Sequence, residues 1–149
     1  MRWRPCSIVQ QKAVQAQILK LLRQLRDDLD LSYLFISHDL NVVRYLSDRV
    51  IVMFLGQVCE LSPTDALYAE PRHPYTRFLL EAVPQPDPDR RDEERALLTG
   101  EVSSPVDPPA GCRFHPRCPY ADERCGAVKP ELVEAGPGHL CACHHPLGE

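Results

Sequence analysis

The sequence has little glycine, few aromatic side chains and no excess of positive charge. Its 149 residues include 7 glycines and 7% aromatic residues, and 17 lysines and arginines stand against 21 aspartates and glutamates. A net charge of −4 argues against a nucleic-acid-binding module, which presents a basic face. No apolar run approaches the roughly 18 residues of a membrane-spanning helix, and the N-terminus lacks the apolar core of a signal peptide. We therefore expect a cytoplasmic chain whose thiols stay reduced.

Proline and cysteine, by contrast, are abundant. The 15 prolines are about twice the average share of roughly 5%, and they are dense between Pro84 and Pro119. Because proline fixes φ and removes an amide donor, residues 84–110 are interpreted as an extended linker. Five of the 7 cysteines follow that linker. In a reducing compartment such a cluster indicates a metal site rather than disulfide bonds.

The residues before the linker have an α/β pattern. Apolar residues recur every three or four positions from Val14 to Leu29, which predicts one amphipathic helix. The nearly continuous apolar run Leu31–Ser37 predicts a strand buried on both faces of a parallel sheet. Such a strand needs neighbours on both sides, and residues 1–30 hold no other strand candidate. We therefore expect the back end of a larger α/β domain.

The other expected elements are short. Ser62 is the expected N-cap of a helix whose first residue is Pro63, because a hydroxyl and a proline are favoured at those two positions. That helix is expected to end near Tyr68. The remaining expected elements are a helix over residues 39–48, strands over 49–54 and 58–61, and a helix over 73–82.

Polar residues follow the strand expected at Leu31–Ser37. Ligands of open α/β sheets bind at the carboxyl ends of the strands, so His38 is a candidate for contact with a phosphate. The structural alternative is that Ser37 or Asp39 caps the next helix while His38 faces solvent. The sequence does not favour a hydrolase triad here, because three consecutive residues do not align a nucleophile, a base and an orienting group.

The cysteine-rich end offers four candidate metal ligands, Cys112, Cys118, Cys125 and Cys143, with Cys141 as an alternative fifth. Four thiolates hold either a tetrahedral zinc ion or an iron–sulfur cluster. The first two gaps of five and six residues are wider than the pairs of structural zinc sites, which favours a cluster over zinc. Metal-free thiols are the third alternative.

The remaining cysteine and histidine residues have simpler interpretations. Cys59 lies inside an expected strand and is interpreted as a small core residue. The histidines of the cysteine-rich end that we expect at the surface rather than as ligands are His115, His139 and His145.

The sequence resembles the end of an ABC transporter ATP-binding subunit in three stretches, Val14–Leu19, Phe35–Leu40 and Asp48–Met53. Two more, His73–Pro84 and Gly111–Pro119, resemble the oligopeptide/dipeptide importer branch, and the resemblance covers residues 14–146. It implies an α/β fold: a partial ABC-type nucleotide-binding domain, with the C-terminal part of the P-loop sheet and flanking helices, then an irregular Pro/Cys-rich extension. The implied domains are a non-matching segment 1–13, an ATPase portion 14–83, the linker 84–110 and the extension 111–149.

The resemblance also implies roles for the candidate residues. His38 matches the switch-loop histidine, which contacts the γ-phosphate of ATP. The four ligands Cys112, Cys118, Cys125 and Cys143 match those of a [4Fe–4S] cluster that some members carry. The complete subunit binds ATP and Mg²⁺ at the cytoplasmic side of the cell membrane, beside two permease subunits, a second ATP-binding subunit and, indirectly, a substrate-binding protein.

The sequence departs from the family in its phosphate-binding parts. It has no G-x-x-x-x-G-K-[ST] motif, no signature motif and no Walker B carboxylates, so we expect no ATP hydrolysis by this chain alone. The main hypothesis is therefore a fragment of the ATP-binding subunit of a peptide ABC importer. The alternatives are a free-standing small iron–sulfur or zinc-binding protein and a non-functional gene remnant.

Overall fold

The computed structural model of the chain describes residues 7–83 and 104–148. It has mixed α/β structure, and it divides into two compact units between Ser47 and Asp48. Most of the linker expected at 84–110 lies outside the described residues, and residues 104–110 form no helix or strand. No helix in the described ranges is long and apolar enough to cross a membrane.

The first unit is helical. Helix α1 spans Ser7–Leu29 and contains the predicted helix from Val14 onward. Helix α2 spans Leu40–Leu46, and the Arg23 guanidinium lies 5.4 Å from the centre of the Tyr45 ring, which links the two helices. The apolar stripe from which α1 was predicted is exposed over much of its length, since Val14, Ile18 and Leu29 each have more than half of their surface open to solvent.

The prediction of a strand at Leu31–Ser37 is wrong for this chain. These residues have no regular secondary structure, and Leu34 and Ile36 are 89% and 90% exposed. A strand exists only when a neighbour accepts and donates its backbone hydrogen bonds. Among the described residues of this unit, all regular structure is helical, so residues 31–37 have no neighbouring strand with which to pair.

The second unit is built on a four-stranded antiparallel sheet with the order β1-β2-β4-β3. Strand β1 spans Arg49–Phe54 and β2 spans Gln57–Pro63, which confirms the predicted hairpin. Leu55 and Gly56 form its two-residue turn with φ of 45° and 77°, and two positive φ values match the twist of the flanking strands.

The other two strands come from the cysteine-rich end. Strand β3 spans Val133–Gly136 and β4 spans His139–Cys141, and β4 pairs with β2. The expectation of an irregular extension is therefore not confirmed, because this end completes the sheet that the hairpin begins.

In the described part of this unit, four short helices accompany the sheet: α3 over Thr64–Ala69, α4 over Pro74–Glu81, a 3-10 helix over His115–Arg117, and α5 over Glu123–Ala127. The prediction that Ser62 caps α3 is wrong. Ser62 is still paired with Val50 in the sheet, so its backbone continues β2, and its hydroxyl donates to the Pro63 carbonyl at 3.1 Å. Helix α4 begins as predicted, with His73 as N-cap accepting the Tyr75 amide at Nδ1.

An aromatic cluster joins the cysteine-rich end to the hairpin and α4. The Phe114 ring is 1% exposed, and its centre lies 5.5 Å from Phe54, 5.2 Å from Tyr75 and 6.2 Å from Phe78. These separations are those of favourable edge-to-face and tilted pairs. Arg113 adds a hydrogen bond to the Leu55 carbonyl in the hairpin turn. This packing holds the loop that carries Cys112 against the sheet.

Candidate metal centre

The four predicted ligands lie on three segments of the second unit. Cys112 and Cys118 flank the 3-10 helix, Cys125 belongs to α5, and Cys143 follows β4. All four are free thiols. Their positions therefore depend on the packing of the 3-10 helix against α5 and on the pairing of β4 with β2.

A glycine allows two of these segments to approach closely. The Cys112 amide donates to the Cys125 carbonyl at 2.8 Å. The preceding Gly111 has a φ of +66°, and a Cβ at this position would collide with the backbone of Cys125 and Gly126. Only glycine accepts both this conformation and this contact, so Gly111 sets the approach of Cys112 to α5.

The four sulfurs influence one another electrostatically. Burial raises the pKa of the Cys143 thiol to about 11, and the thiols of Cys112, Cys118 and Cys125 raise it further, against the lowering effect of the His145 amide. Burial is also the main cause of the raised pKa of Cys118, to which Cys112 and Cys125 contribute. A second thiolate in such a group is unfavourable until a cation neutralises the charge. This donor set suits a metal that displaces several thiol protons.

The four thiols do not form a ready-made site for one metal ion. Among the described residues, the group of three side chains placed closely enough to hold such an ion contains Cys125 but not Cys112, Cys118 or Cys143.

Two further thiols lie in the sheet. Cys59 is buried in β2, as expected for a small core residue, and burial raises the pKa of its thiol to about 12. Cys141 is buried in β4 opposite Glu60, and burial followed by the nearby Glu60 carboxylate raises the pKa of its thiol strongly. Both sulfurs are held in the protonated form that suits a core residue.

The expectation that His139 lies at the surface is wrong. His139 is buried, and its Nε2 lies 2.5 Å from Oε1 of Glu60, which is itself 0% exposed. The Glu60 carboxylate also accepts the amides of Arg72 at 2.7 Å and His73 at 3.0 Å. Sequence reasoning missed Glu60, although an acidic residue inside a predicted strand was a signal of a buried polar contact. The other two histidines agree better with expectation, since His115 is half-buried and His145 is exposed.

His38, the predicted phosphate contact, lies in the first unit and is exposed. The capping alternative is confirmed for Asp39, whose carboxylate accepts the amides of Asn41 at 3.0 Å and Val42 at 3.3 Å. The Ser37 hydroxyl accepts the Asp39 amide at 3.0 Å, which fixes the entry to α2.

Comparison with known proteins identifies relatives. A family model described as the C-terminal region of oligopeptide/dipeptide transporters matches residues 59–125. A Brucella ovis protein named as a peptide import ATP-binding protein is 53% identical over 131 residues, which are 88% of this chain and 41% of that protein. The dipeptide transport ATP-binding protein DppF of Haemophilus influenzae is 48% identical over 133 residues, which are 89% of this chain and 40% of that protein.

A third relative is the Bacillus subtilis protein YkfD, which is named as an oligopeptide transport ATP-binding protein. It is 50% identical over 133 residues, which are 89% of this chain and 40% of that protein. The chain thus spans about two fifths of the length of these relatives. The predicted resemblance to the C-terminal part of peptide ABC transporter ATP-binding subunits is confirmed.

Proposed function

We propose that this chain, a relative of peptide-transporter ATP-binding subunits in their C-terminal part, is a fragment of the ATP-binding subunit of a peptide ABC importer. The complete subunit couples ATP binding and hydrolysis to peptide uptake through two permease subunits, and works with a second ATP-binding subunit and a substrate-binding protein at the cytoplasmic face of the membrane. The observation that carries this proposal is the identity of 48–53% with three such relatives over 88–89% of the chain.

The exposed run Leu31–Ser37 supports the same proposal. Its apolar side chains suit a strand with neighbours on both sides. The matched part is 41% and 40% of two of the relatives, so about 60% of the length of each lies outside it. Pairing with strands from such a part satisfies the backbone of this run and covers residues such as Leu34 and Ile36.

This chain alone does not fit ATP and Mg²⁺. Its sequence has no phosphate cradle of the G-x-x-x-x-G-K-[ST] type and no Walker B carboxylates. His38 is the residue of this chain that we propose for contact with the γ-phosphate, at the start of α2. The cradle and the magnesium ligands belong to the remaining part of the subunit.

We also propose a [4Fe–4S] cluster bound by Cys112, Cys118, Cys125 and Cys143. Four free thiols that influence one another electrostatically, at sequence gaps wider than those of paired zinc ligands, support this assignment. When bound, the cluster supplies bonds that cross-link the 3-10 helix loop, α5 and the segment after β4. Such bonds contribute free energy to folding. Zinc at the same four thiols is the alternative.

Anaerobic purification with iron and sulfide analysis and visible absorbance tests the cluster. We expect Cys143→Ala to abolish the visible absorbance, whereas Cys141→Ala, its matched control two residues away, leaves it. Stoichiometric zinc without iron contradicts the cluster, and loss with Cys141→Ala but not with Cys143→Ala contradicts the ligand assignment.

A chimera tests the transporter proposal. Residues 14–149 replace the matching part of the Haemophilus influenzae dipeptide transport ATP-binding protein, and dipeptide-dependent growth is measured. We expect growth with the chimera and its loss with His38→Ala. A chimera that reaches the membrane at the normal level but supports no uptake contradicts the proposal.

A free-standing metal-binding protein is the second candidate. The observation in its favour is that the unit from Asp48 onward has its own sheet, its own aromatic core and all four candidate ligands. This candidate is supported if the chimera supports no uptake while the isolated chain binds its metal in full.

A further inference from the structure

Three potential ligands of different chemistry meet beside helix α5. One carboxylate oxygen of Asp122, the Cys125 sulfur and one imidazole nitrogen of His145 all lie within 4.8 Å of one another. The Cys125 residue is buried, whereas the side chains of His145 and Asp122 are 44% and 47% exposed. The group therefore has one sulfur at its inner side and two ligands that solvent reaches.

The carboxylate of this group is held in place before any metal binds. Asp122 is the N-cap of α5, and its Oδ1 accepts the Cys125 amide at 2.9 Å. This bond leaves Oδ2 free to face His145 Nε2, at 2.8 Å. The amide of Cys125 and the imidazole of His145 lower the pKa of Asp122 to about 2, so the group is a carboxylate at neutral pH.

Hydrogen bonds of the backbone and of a neighbouring residue hold His145 in place. The His145 amide donates to the Cys143 sulfur at 3.3 Å, and the neighbouring His144 ring donates from Nε2 to the Val128 carbonyl at 2.9 Å. Ligands that are oriented by their own hydrogen bonds lose less freedom on binding a metal.

We propose that Asp122, Cys125 and His145 form a second metal site for a divalent ion of borderline softness, with Zn²⁺ as the best match. One sulfur, one nitrogen and one oxygen are ligand types that zinc accepts, and three protein ligands leave the fourth position to water. Tetrahedral zinc needs about 3.3 Å between oxygen and nitrogen and about 3.6 Å from sulfur to either. On binding zinc, the carboxylate oxygen and the imidazole nitrogen therefore move apart by about 0.5 Å, and the sulfur moves towards them by at most about 1.2 Å.

Binding at this site moves protons in a defined way. The Cys125 thiol releases its proton to solvent, because only the thiolate is a good ligand. The His145 Nε2, which faces the Asp122 carboxylate, gives up its proton to Nδ1 or to solvent when it binds the zinc ion.

The second site shares Cys125 with the four-thiol site. In the part of this inference that depends on the proposed cluster, zinc at Asp122, Cys125 and His145 removes one of the four cluster ligands, so the two metals exclude each other. The occupancy of Cys125 then decides whether the extension carries a cluster or a zinc ion.

Cobalt titration separates this site from the four-thiol site. In the full chain, the double variant Cys112→Ala with Cys118→Ala removes two ligands of the four-thiol site and leaves the triad intact. The double variant Cys112→Ser with Cys118→Ser is the control, since an effect of alanine on packing would differ between the two. We expect this double variant to bind one Co²⁺ per chain under anaerobic conditions, with the charge-transfer absorption of a single thiolate, and to release it to Zn²⁺.

Two further changes in that background test the named ligands. His145→Gln and Asp122→Asn are each expected to weaken Co²⁺ binding by about 10-fold or more. Asparagine still accepts the Cys125 amide, so α5 keeps its cap, and circular dichroism of each variant checks the fold. A folded double variant that binds no Co²⁺, or binding that both changes leave intact, overturns the proposal.

Competition tests the shared ligand. We expect wild-type chain preloaded with Zn²⁺ to take up less iron and sulfide in cluster reconstitution than zinc-free chain, and His145→Gln to remove that difference. Equal uptake by wild-type chain with and without zinc overturns the exclusion. If no variant takes up iron and sulfide at all, the cluster proposal fails, and the cobalt titration still decides the triad.

Discussion

Glu60→Ala is expected to destabilise the second unit by about 3–5 kcal/mol. The Glu60 carboxylate is 0% exposed and accepts three hydrogen bonds, from the amides of Arg72 and His73 and from the His139 ring. A buried donor left without its partner costs roughly 1–3 kcal/mol. Three donors lose their acceptor at once, and water entering the space of the side chain relieves part of that sum.

The assay is urea unfolding of the full chain, followed by the near-ultraviolet circular dichroism of the tyrosines, because Tyr75 belongs to the core of this unit. Glu131→Ala removes an exposed carboxylate and serves as the matched control, with an expected change within about 0.5 kcal/mol. A double-mutant cycle with His139→Ala is expected to give a coupling energy of about 0.5–3 kcal/mol for the Glu60–His139 pair.

Two results refute this reasoning. A Glu60→Ala variant within about 1 kcal/mol of wild type shows that the three donors find other partners. A coupling energy near zero shows that His139 is held by its strand alone and not by Glu60.

Three other changes test the core, its pH response and the missing phosphate machinery. Burial lowers the pKa of His73 from 6.5 to about 4. The contribution of the neutral His73 ring to the free energy of unfolding is therefore fully present above pH 6.5, and about 3 kcal/mol of it is lost as the pH drops to 4. His73→Asn keeps an acceptor for the α4 cap and is expected to flatten this loss in thermal melts; an unchanged pH profile contradicts the assignment. Phe114→Ala is expected to cost about 3–5 kcal/mol in urea unfolding, against less than about 0.5 kcal/mol for the exposed control Val106→Ala, and similar effects of the two changes contradict the packing. The chain alone is expected to release no phosphate from ATP above background, and turnover that disappears with His38→Ala contradicts this expectation.

Local pattern alone identified the elements whose neighbours in sequence are also their partners in structure. The spacing of apolar residues from Val14 to Leu29 is sufficient for α1, because a helix satisfies its own backbone. The hairpin β1–β2 needs only a two-residue turn at Leu55 and Gly56 between two apolar strands. The four candidate thiols, and the resemblance to peptide transporters, were likewise readable from residue types and spacing.

Tertiary structure decided the features that depend on distant partners. Leu31–Ser37 has the composition of a buried strand but forms none, because composition cannot supply a ladder. Strand β4 has three residues and too weak a pattern to predict, and it exists because β2 and β3 pair with it.

The same dependence explains the histidines. His139 is buried because Glu60, which lies 79 positions earlier, accepts from its ring, whereas His145 meets Asp122 at the surface 23 positions away. The identity of each histidine was plain in the sequence. Its environment was not, because the sheet decides which segments come together, and so which side chains are buried and paired. Those contacts join residues far apart in the chain, and a local hydrophobic periodicity carries no information about them.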